Sequence, residues 1–353
     1  ARYADAETGR WCWTAGAAMV TITVQSRADA TVQTTKLLAA NLVPECYDID
    51  LGATSGRVIL GGVTDGVLGM RHIARFPNTP LNLTESSFGS QVVPAEGLYW
   101  NIQSLFAALT EGLRALCIWG ALQVDLTVKS TDDDEKQMAD DLISLLTPVI
   151  KGYGTDKGFD VAVSAQQVFG GHGYIWENGV EQYVRDARIA QIYEGTNGIQ
   201  AMDLVGRKLP MHGGRALQSF LKMVSDDVAA AKADEKLAPI ADALEKASGQ
   251  LGAATMWLMQ NAMKNPDNAG AGAHHYMHIL GIVATGLMWL RMAKAASAQI
   301  AASEGDAGFL EAKLVTARFF AERIMPDAGA LRRKIEGGAD TLMALDPAQF
   351  LAA

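Results

Sequence analysis

Cysteine is scarce in this chain: 353 residues include three, Cys12, Cys46 and Cys117, spaced too widely for a framework of several disulfides or for a metal-binding cluster. That usage predicts a reducing, cytoplasmic setting and no metal. Long apolar runs are short as well. The longest, Ile279–Leu290, lies between His278 and Arg291 and falls well below the roughly 20 residues of a spanning helix, so no membrane span is expected. No signal-peptide pattern is expected either. Positive charge is in deficit: 30 Lys and Arg stand against 39 Asp and Glu, for a net charge of −9. Nucleic acid and anionic membrane surfaces are therefore not expected partners. Aromatics make up only 7% of residues, yet apolar residues as a whole reach 49% and are spread along the chain, which excludes a disordered polymer and allows a large core in more than one domain.

The richest information lies in Gln167-Val168-Phe169-Gly170-Gly171-His172-Gly173-Tyr174, then Val184-Arg185-Asp186-Ala187-Arg188, then Ile192-Tyr193-Glu194-Gly195-Thr196-Asn197-Gly198-Ile199-Gln200. Val180, Val184 and Ala187 recur at helical spacing up to Ile192. Gly195 interrupts, and Thr196 or Asn197 can cap a new helix carrying Ile199, Met202, Val205 and Leu209. Glu194 thus sits in a short break between helices, with its backbone fixed on both sides. A carboxylate pointing from there into a cavity would be desolvated, its pKa raised, and its power as a proton acceptor improved. Taken alone, Glu194 reads more readily as a capping-type acid drawn to the positive end of the next helix.

The whole run from Thr147 to Leu209 resembles the C-terminal helical domain of acyl-CoA dehydrogenases, flavoenzymes that oxidise the Cα–Cβ bond of an acyl-CoA thioester. The resemblance implies FAD as cofactor and Glu194 as the base that removes the α-proton. It implies that Gln167, Gly170 and Gly171 meet the adenosine part of FAD in a neighbouring subunit, so the protein is expected to be at least a homodimer. It further implies that Thr196 holds the FAD phosphate, that Tyr193 and Gly195 line the acyl-CoA site, and that electrons pass to an electron-transfer flavoprotein. An acyl-CoA oxidase, or a non-catalytic relative that only binds, shares the same scaffold. The glycine turn is no dinucleotide fingerprint, because no strand precedes it and the spacing differs. Two positions depart from the family pattern: Gly198 stands where many relatives have Gln, and Glu85, in Glu85-Ser86-Ser87-Phe88-Gly89, stands where an arginine would grip phosphate.

The expected fold is mainly α: an acyl-CoA dehydrogenase-like bundle with a small β-domain at the N-terminal end and an extra C-terminal helical region. Its segments are 1–60 for part of the middle β-domain, 61–209 for the catalytic helices, and 210–353 for the extension. Val20–Val24 and Thr31–Thr35 read as strands, and Asp50–Gly56, Leu60-Gly61 and Gly66–Met70 through Ala74-Arg75 resemble the end of the family's middle β-domain and the start of its next helix. Phe76–Gln103 is too rich in Pro, Ser, Thr and Asn for the family's helical pair. The family's N-terminal helical domain has no counterpart in the opening, so the chain is expected to start inside the β-domain. Leu105–Leu126, Asp140–Ile150 and Phe159–Phe169 read as helices, and Asp132–Glu135 as a solvated helix start. Later seams run through Leu244, Ala247, Leu251, Ala254 and Leu258, and through Leu280, Val283 and Leu287; the final section resembles the extension of a larger subgroup. His274 and His278 lie one turn apart, but with no acidic or cysteine partner in sequence they read as structural.

Overall fold

In the computed structural model, residues 2–77 are described only as seven backbone strands, residues 89–351 by backbone, and side chains from Ser104 to Gln349. The chain divides into two compact units, 1–100 and 101–353. In the first, β1 (Arg2–Asp5), β2 (Arg10–Cys12), β5 (Cys46–Leu51), β6 (Ser55–Thr64) and β7 (Val67–Pro77) form one sheet in the order β1-β2-β5-β6-β7. β3 (Met19–Gln25) pairs antiparallel with β4 (Val32–Leu38), at the two positions where β-branched runs predict strands. Residues Ala74 and Arg75 lie in β7, paired with β6, and not at a helix start.

The second unit is helical, and the helix that opens it begins before residue 101. Nine α-helices are present among the described residues: α1 (Gly89–Lys129), α2 (Asp133–Val168), α3 (Val180–Ile192), α4 (Asn197–Asp203), α5 (Arg215–Ala231), α6 (Ala238–Asn261), α7 (Asp267–Ala301), α8 (Ala307–Arg323) and α9 (Asp327–Glu336). α1 starts well before the expected Leu105. α2 opens as the acidic run predicts: the Asp132 carboxylate accepts from the backbone N–H groups of Asp134 at 2.9 Å and Glu135 at 3.2 Å, which satisfies two of the donors a helix start leaves free.

A single helix, α2, replaces the two expected over Asp140–Ile150 and Phe159–Phe169. Pro148, Gly152, Gly154 and Gly158 disfavour helix locally, but packing decides. A side chain at Gly152 would collide with Met277 of α7, and one at Gly281 would collide with the Tyr153 ring. The small residues therefore let α2 and α7 approach closely. Burial of Leu142, Leu145, Leu146, Val149 and Tyr153 on the same face outweighs the propensity cost.

α7 is the centre of the core. Ile279 to Leu290 is buried all round rather than along one seam, as expected for a helix enclosed by others. It packs on α2, α4, α6, α8 and α9. Two helical stretches, Ser104–Lys129 and Asp267–Ala301, are long and apolar enough to cross a bilayer by length and composition alone. Small residues extend each beyond its longest uninterrupted apolar run. The most apolar window of the second is 78% buried inside the protein, against 28% for the first, so core packing accounts for the composition of α7.

Polar ties fasten the later helices to the earlier ones. Arg215 grips the buried Asp141 carboxylate with two hydrogen bonds, at 2.6 and 2.9 Å. The Trp289 indole donates to the Ala108 carbonyl at 2.9 Å, and Lys313 pairs with Glu111. On α6, Leu244, Ala247, Leu251, Ala254 and Leu258 are all buried in the same core. Truncating Leu251 to Ala is expected to cost about 2–5 kcal/mol, and placing Asp at both Leu251 and Leu258 to unfold the helical unit as a whole. Thermal melts followed by circular dichroism check this: a doubly substituted protein melting at the parent temperature would show that α6 is not part of the core.

Candidate active site

Glu194 lies in the break expected of it. α3 ends at Ile192, Tyr193 turns extended, Glu194 adopts φ 54° and Gly195 φ 81°, and α4 begins at Asn197. Positive φ is natural for Gly195 but strains Glu194, at a cost of about 1–2 kcal/mol. Such a conformation persists only where the surroundings hold it, and here both carbonyls of the turn are captured. The Gln200 amide donates to the Glu194 carbonyl at 3.2 Å, and the Lys151 ammonium donates to the Gly195 carbonyl at 2.7 Å.

Behind the turn lies a half-buried polar network whose members no local spacing links. Lys151 donates a second bond, at 2.7 Å, to the side-chain oxygen of Asn197. The Asn197 amide nitrogen in turn donates to the Gly152 carbonyl (3.0 Å), Thr155 (2.9 Å) and the Asp156 carboxylate (2.7 Å). Asp156 also accepts from Gln191 at 2.7 Å and bonds His278 of α7 at 2.8 Å. The amide orientation of Asn197 is dictated chemically, since an ammonium can only donate and a carboxylate can only accept. Thr196 stands at the N-cap position without using its side chain as a cap, and Asn197, the other candidate cap, points back into α2 instead. A signal for this network existed: Asp156 falls on the buried α2 stripe of Val149, Gly152 and Tyr153, and His278 sits amid the buried run of α7.

Electrostatics follow from these contacts. Burial pushes the Asp156 carboxyl up, but the hydrogen bonds from His278, Gln191 and Asn197 and the electrostatic influence of His278 outweigh it and hold the group down at about 2. Desolvation lowers Lys151, while the charges of Asp156 and Glu194 oppose that fall. His274 completes a cluster with Asp156 and His278 whose ligand-type atoms lie within 4.8 Å of one another. An acidic partner for the two histidines is thus present, supplied by a helix distant in sequence.

The other expected residues lie elsewhere or differently. Glu194, Tyr193, Gly195 and Thr196 are exposed among the described residues. The desolvation expected around Glu194 is therefore not supplied by them. Gln167, Gly170 and Gly171 are exposed at the end of α2, with Gly170 at φ 60°. Fifteen residues of α2 separate Gly152, beneath the Glu194 turn, from Gln167, about 22 Å at the α-helical rise. The structure does not bring the glycine turn and Glu194 together. Beside the Glu194 turn, an open groove of about 460 Å³ runs between α2 and α4, lined by Thr147, Pro148, Ile199, Gln200 and Arg207 among others. Glu85 lies outside the described residues.

Two family models match the helical unit: "Acyl-CoA dehydrogenase, C-terminal domain" over residues 111–209, and "Acetyl-CoA dehydrogenase C-terminal like" over residues 220–346. The chain belongs to the acyl-CoA dehydrogenase family. It is 37% identical over 237 residues to the 3-methylmercaptopropionyl-CoA dehydrogenase of Ruegeria pomeroyi, covering 67% of this chain and 40% of that one. In fold it is similar to the Caenorhabditis elegans ACDH-11 solved in complex with C11-CoA (TM-score 0.56, 21% identity, 69% of this chain and 40% of the other). It is similar also to an acyl-CoA dehydrogenase from Bacillus anthracis solved with FAD (TM-score 0.53, 18% identity, 72% and 42%). The chain spans about two fifths of the length of the curated relatives it matches.

The depressed Asp156 carboxyl carries a pH signature. Its folded-state value of about 2 lies below the ordinary 3.8, so its stabilising contribution is fully present above about pH 4 and is lost as pH falls towards 2. Asp156→Asn is expected to cost about 2 kcal/mol at neutral pH. The gap in melting temperature between parent and variant should narrow below pH 4. A gap independent of pH would mean that the Asp156 charge is not engaged in the folded state.

Proposed function

We propose that the protein acts as an FAD-dependent acyl-CoA dehydrogenase in which Glu194 removes the α-proton of an acyl-CoA thioester. The observation carrying this reading is the strained, doubly anchored turn at Glu194, which fixes its backbone while no side chain among the described residues hydrogen-bonds its carboxylate. A base so placed has little freedom to lose when it meets a substrate, and positioning of this kind is a large part of what an enzyme contributes. An acyl-CoA seated over the turn would exclude water from Glu194 and raise its basicity, which supplies the desolvation that the described residues leave out. FAD, when bound, supplies the acceptor for the hydride leaving the β-carbon.

The residues present fit that cofactor. The Thr196 hydroxyl is not spent on capping α4, and with the free N–H groups of the first turn it offers donors to a phosphate. Gly170 and Gly171 present a backbone with open space where a side chain would stand, which allows close approach of an adenosine from a neighbouring subunit. The separation of this turn from Glu194 along α2 supports two different subunits meeting two different parts of FAD. Exposed Tyr174 (81%) and Trp176 (77%) beside the glycine turn, and Ile118, Leu122 and Val128 on α1, support a homo-oligomer that covers them. Electron-transfer flavoprotein as acceptor, a cytoplasmic location, and the strands of residues 2–77 as the family's β-domain complete the reading.

The purified protein should show the visible absorbance of bound flavin, and an acyl-CoA should bleach it without oxygen. Glu194→Gln should keep the absorbance and lose bleaching rate by about 10²–10⁴, the usual contribution of a general base. Retention of the parent rate would move the base elsewhere.

A further inference from the structure

The polar network beneath Glu194 does not end in the catalytic helices. It runs from the Gly195 carbonyl through Lys151 and Asn197 to Asp156, and from Asp156 across to His278 on α7. α7 lies in the segment matched by the second family model, and α2 and α4 lie in the first. The contact is well supported on both sides. Side chains of His278 and Asp156 are 12% and 15% exposed, and the His278 ring stands edge-on to the buried Tyr153 ring at 5.3 Å between centroids. Tyr153 is itself wedged against Gly281 one turn further along α7. The imidazole thus has one packing orientation and a hydrogen-bonding partner to match.

We infer that His278 and Asp156 are positioning residues for the base: His278 fixes the Asp156 carboxylate, Asp156 fixes the Asn197 amide, and Asn197 with Lys151 fixes the turn that aims Glu194. This rests on the reading of Glu194 as the base. The physical reason is the strain at φ 54°, which a non-glycine residue abandons once the captured carbonyls are released. Neither His278 nor Asp156 touches substrate in this arrangement, so their loss should change the rate of proton removal far more than the affinity for acyl-CoA. A metal ion bridging Asp156, His278 and His274 is a competing use of the same atoms. Against it, one Asp156 oxygen already accepts from both Gln191 and Asn197, and the other is bonded to His278.

The test compares His278→Ala and His278→Gln with the parent FAD-bound protein, since Gln can return a donor to Asp156 where Ala cannot. Hydrogen exchange of the peptide spanning 189–200 is followed beside that of α6, together with flavin reduction and acyl-CoA binding. In H278A, exchange in the turn should quicken by about tenfold while α6 keeps its protection, and flavin reduction should slow by about 10² with affinity for acyl-CoA little changed. H278Q should recover most of both losses. Unchanged exchange at the turn in H278A overturns the proposal, and so does equal loss of protection in α6, which would make His278 merely structural. Faster exchange of the parent turn after dialysis against EDTA also overturns it, in favour of a metal. If no acyl-CoA bleaches the parent while the turn still loosens in H278A, the proposed activity fails and the positioning of Glu194 by His278 stands.

Discussion

Asn197 is the joint on which the site depends. Its buried amide is the point where a short loop between two helices is held to α2, and three of its partners have fixed polarity: the ammonium on the oxygen, the carboxylate and the carbonyl on the nitrogen. Leaving such a buried amide unpaired costs about 1–3 kcal/mol, comparable with the strain at Glu194. The joint and the strain are therefore matched in scale, and the turn stays in its unusual conformation only while the joint is made.

The helical unit is arranged so that this joint is reached from both sides. α2 supplies Lys151, Thr155 and Asp156 from positions beside Gly152 and Tyr153, which are buried against α7. α7 supplies His278 where its buried length begins. Close approach of these two helices depends on Gly152 and Gly281, whose missing side chains leave room for Met277 and Tyr153. The same glycines that weaken α2 as an isolated helix thus allow the contact that orders the site. Arg215 on Asp141 and Trp289 on Ala108 hold the remaining helices in register with them.

Much of this was legible in the sequence and some was not. The break at Gly195, the helix Val180–Ile192 and the α6 seam follow from local pattern, because each is decided by spacing within one element. The continuity of α2 through Pro148 and three glycines was hidden, since it is decided by a helix more than a hundred residues away. For the same reason the pairing of Asp156 with His274 and His278 does not follow from spacing, although Asp156 and His278 each stand out as polar positions on an apolar stripe. Asn197 looked like a cap because its backbone position is that of one, and only the tertiary structure shows the side chain turned inward. The described residues build the support of the Glu194 turn and leave its side chain exposed, so the surroundings of the carboxylate cannot be read from local spacing.

In the proposed reaction the turn aims the Glu194 carboxylate at the α-carbon of a bound acyl-CoA. A crystal structure of the protein with FAD and a non-oxidisable acyl-CoA analogue tests it most directly. A Glu194 carboxylate oxygen should lie about 3 Å from the α-carbon, within reach for proton transfer, with the Lys151–Asn197–Asp156–His278 chain intact beneath it. A structure in which Glu194 points away from the thioester, and another carboxylate occupies that place, would contradict it.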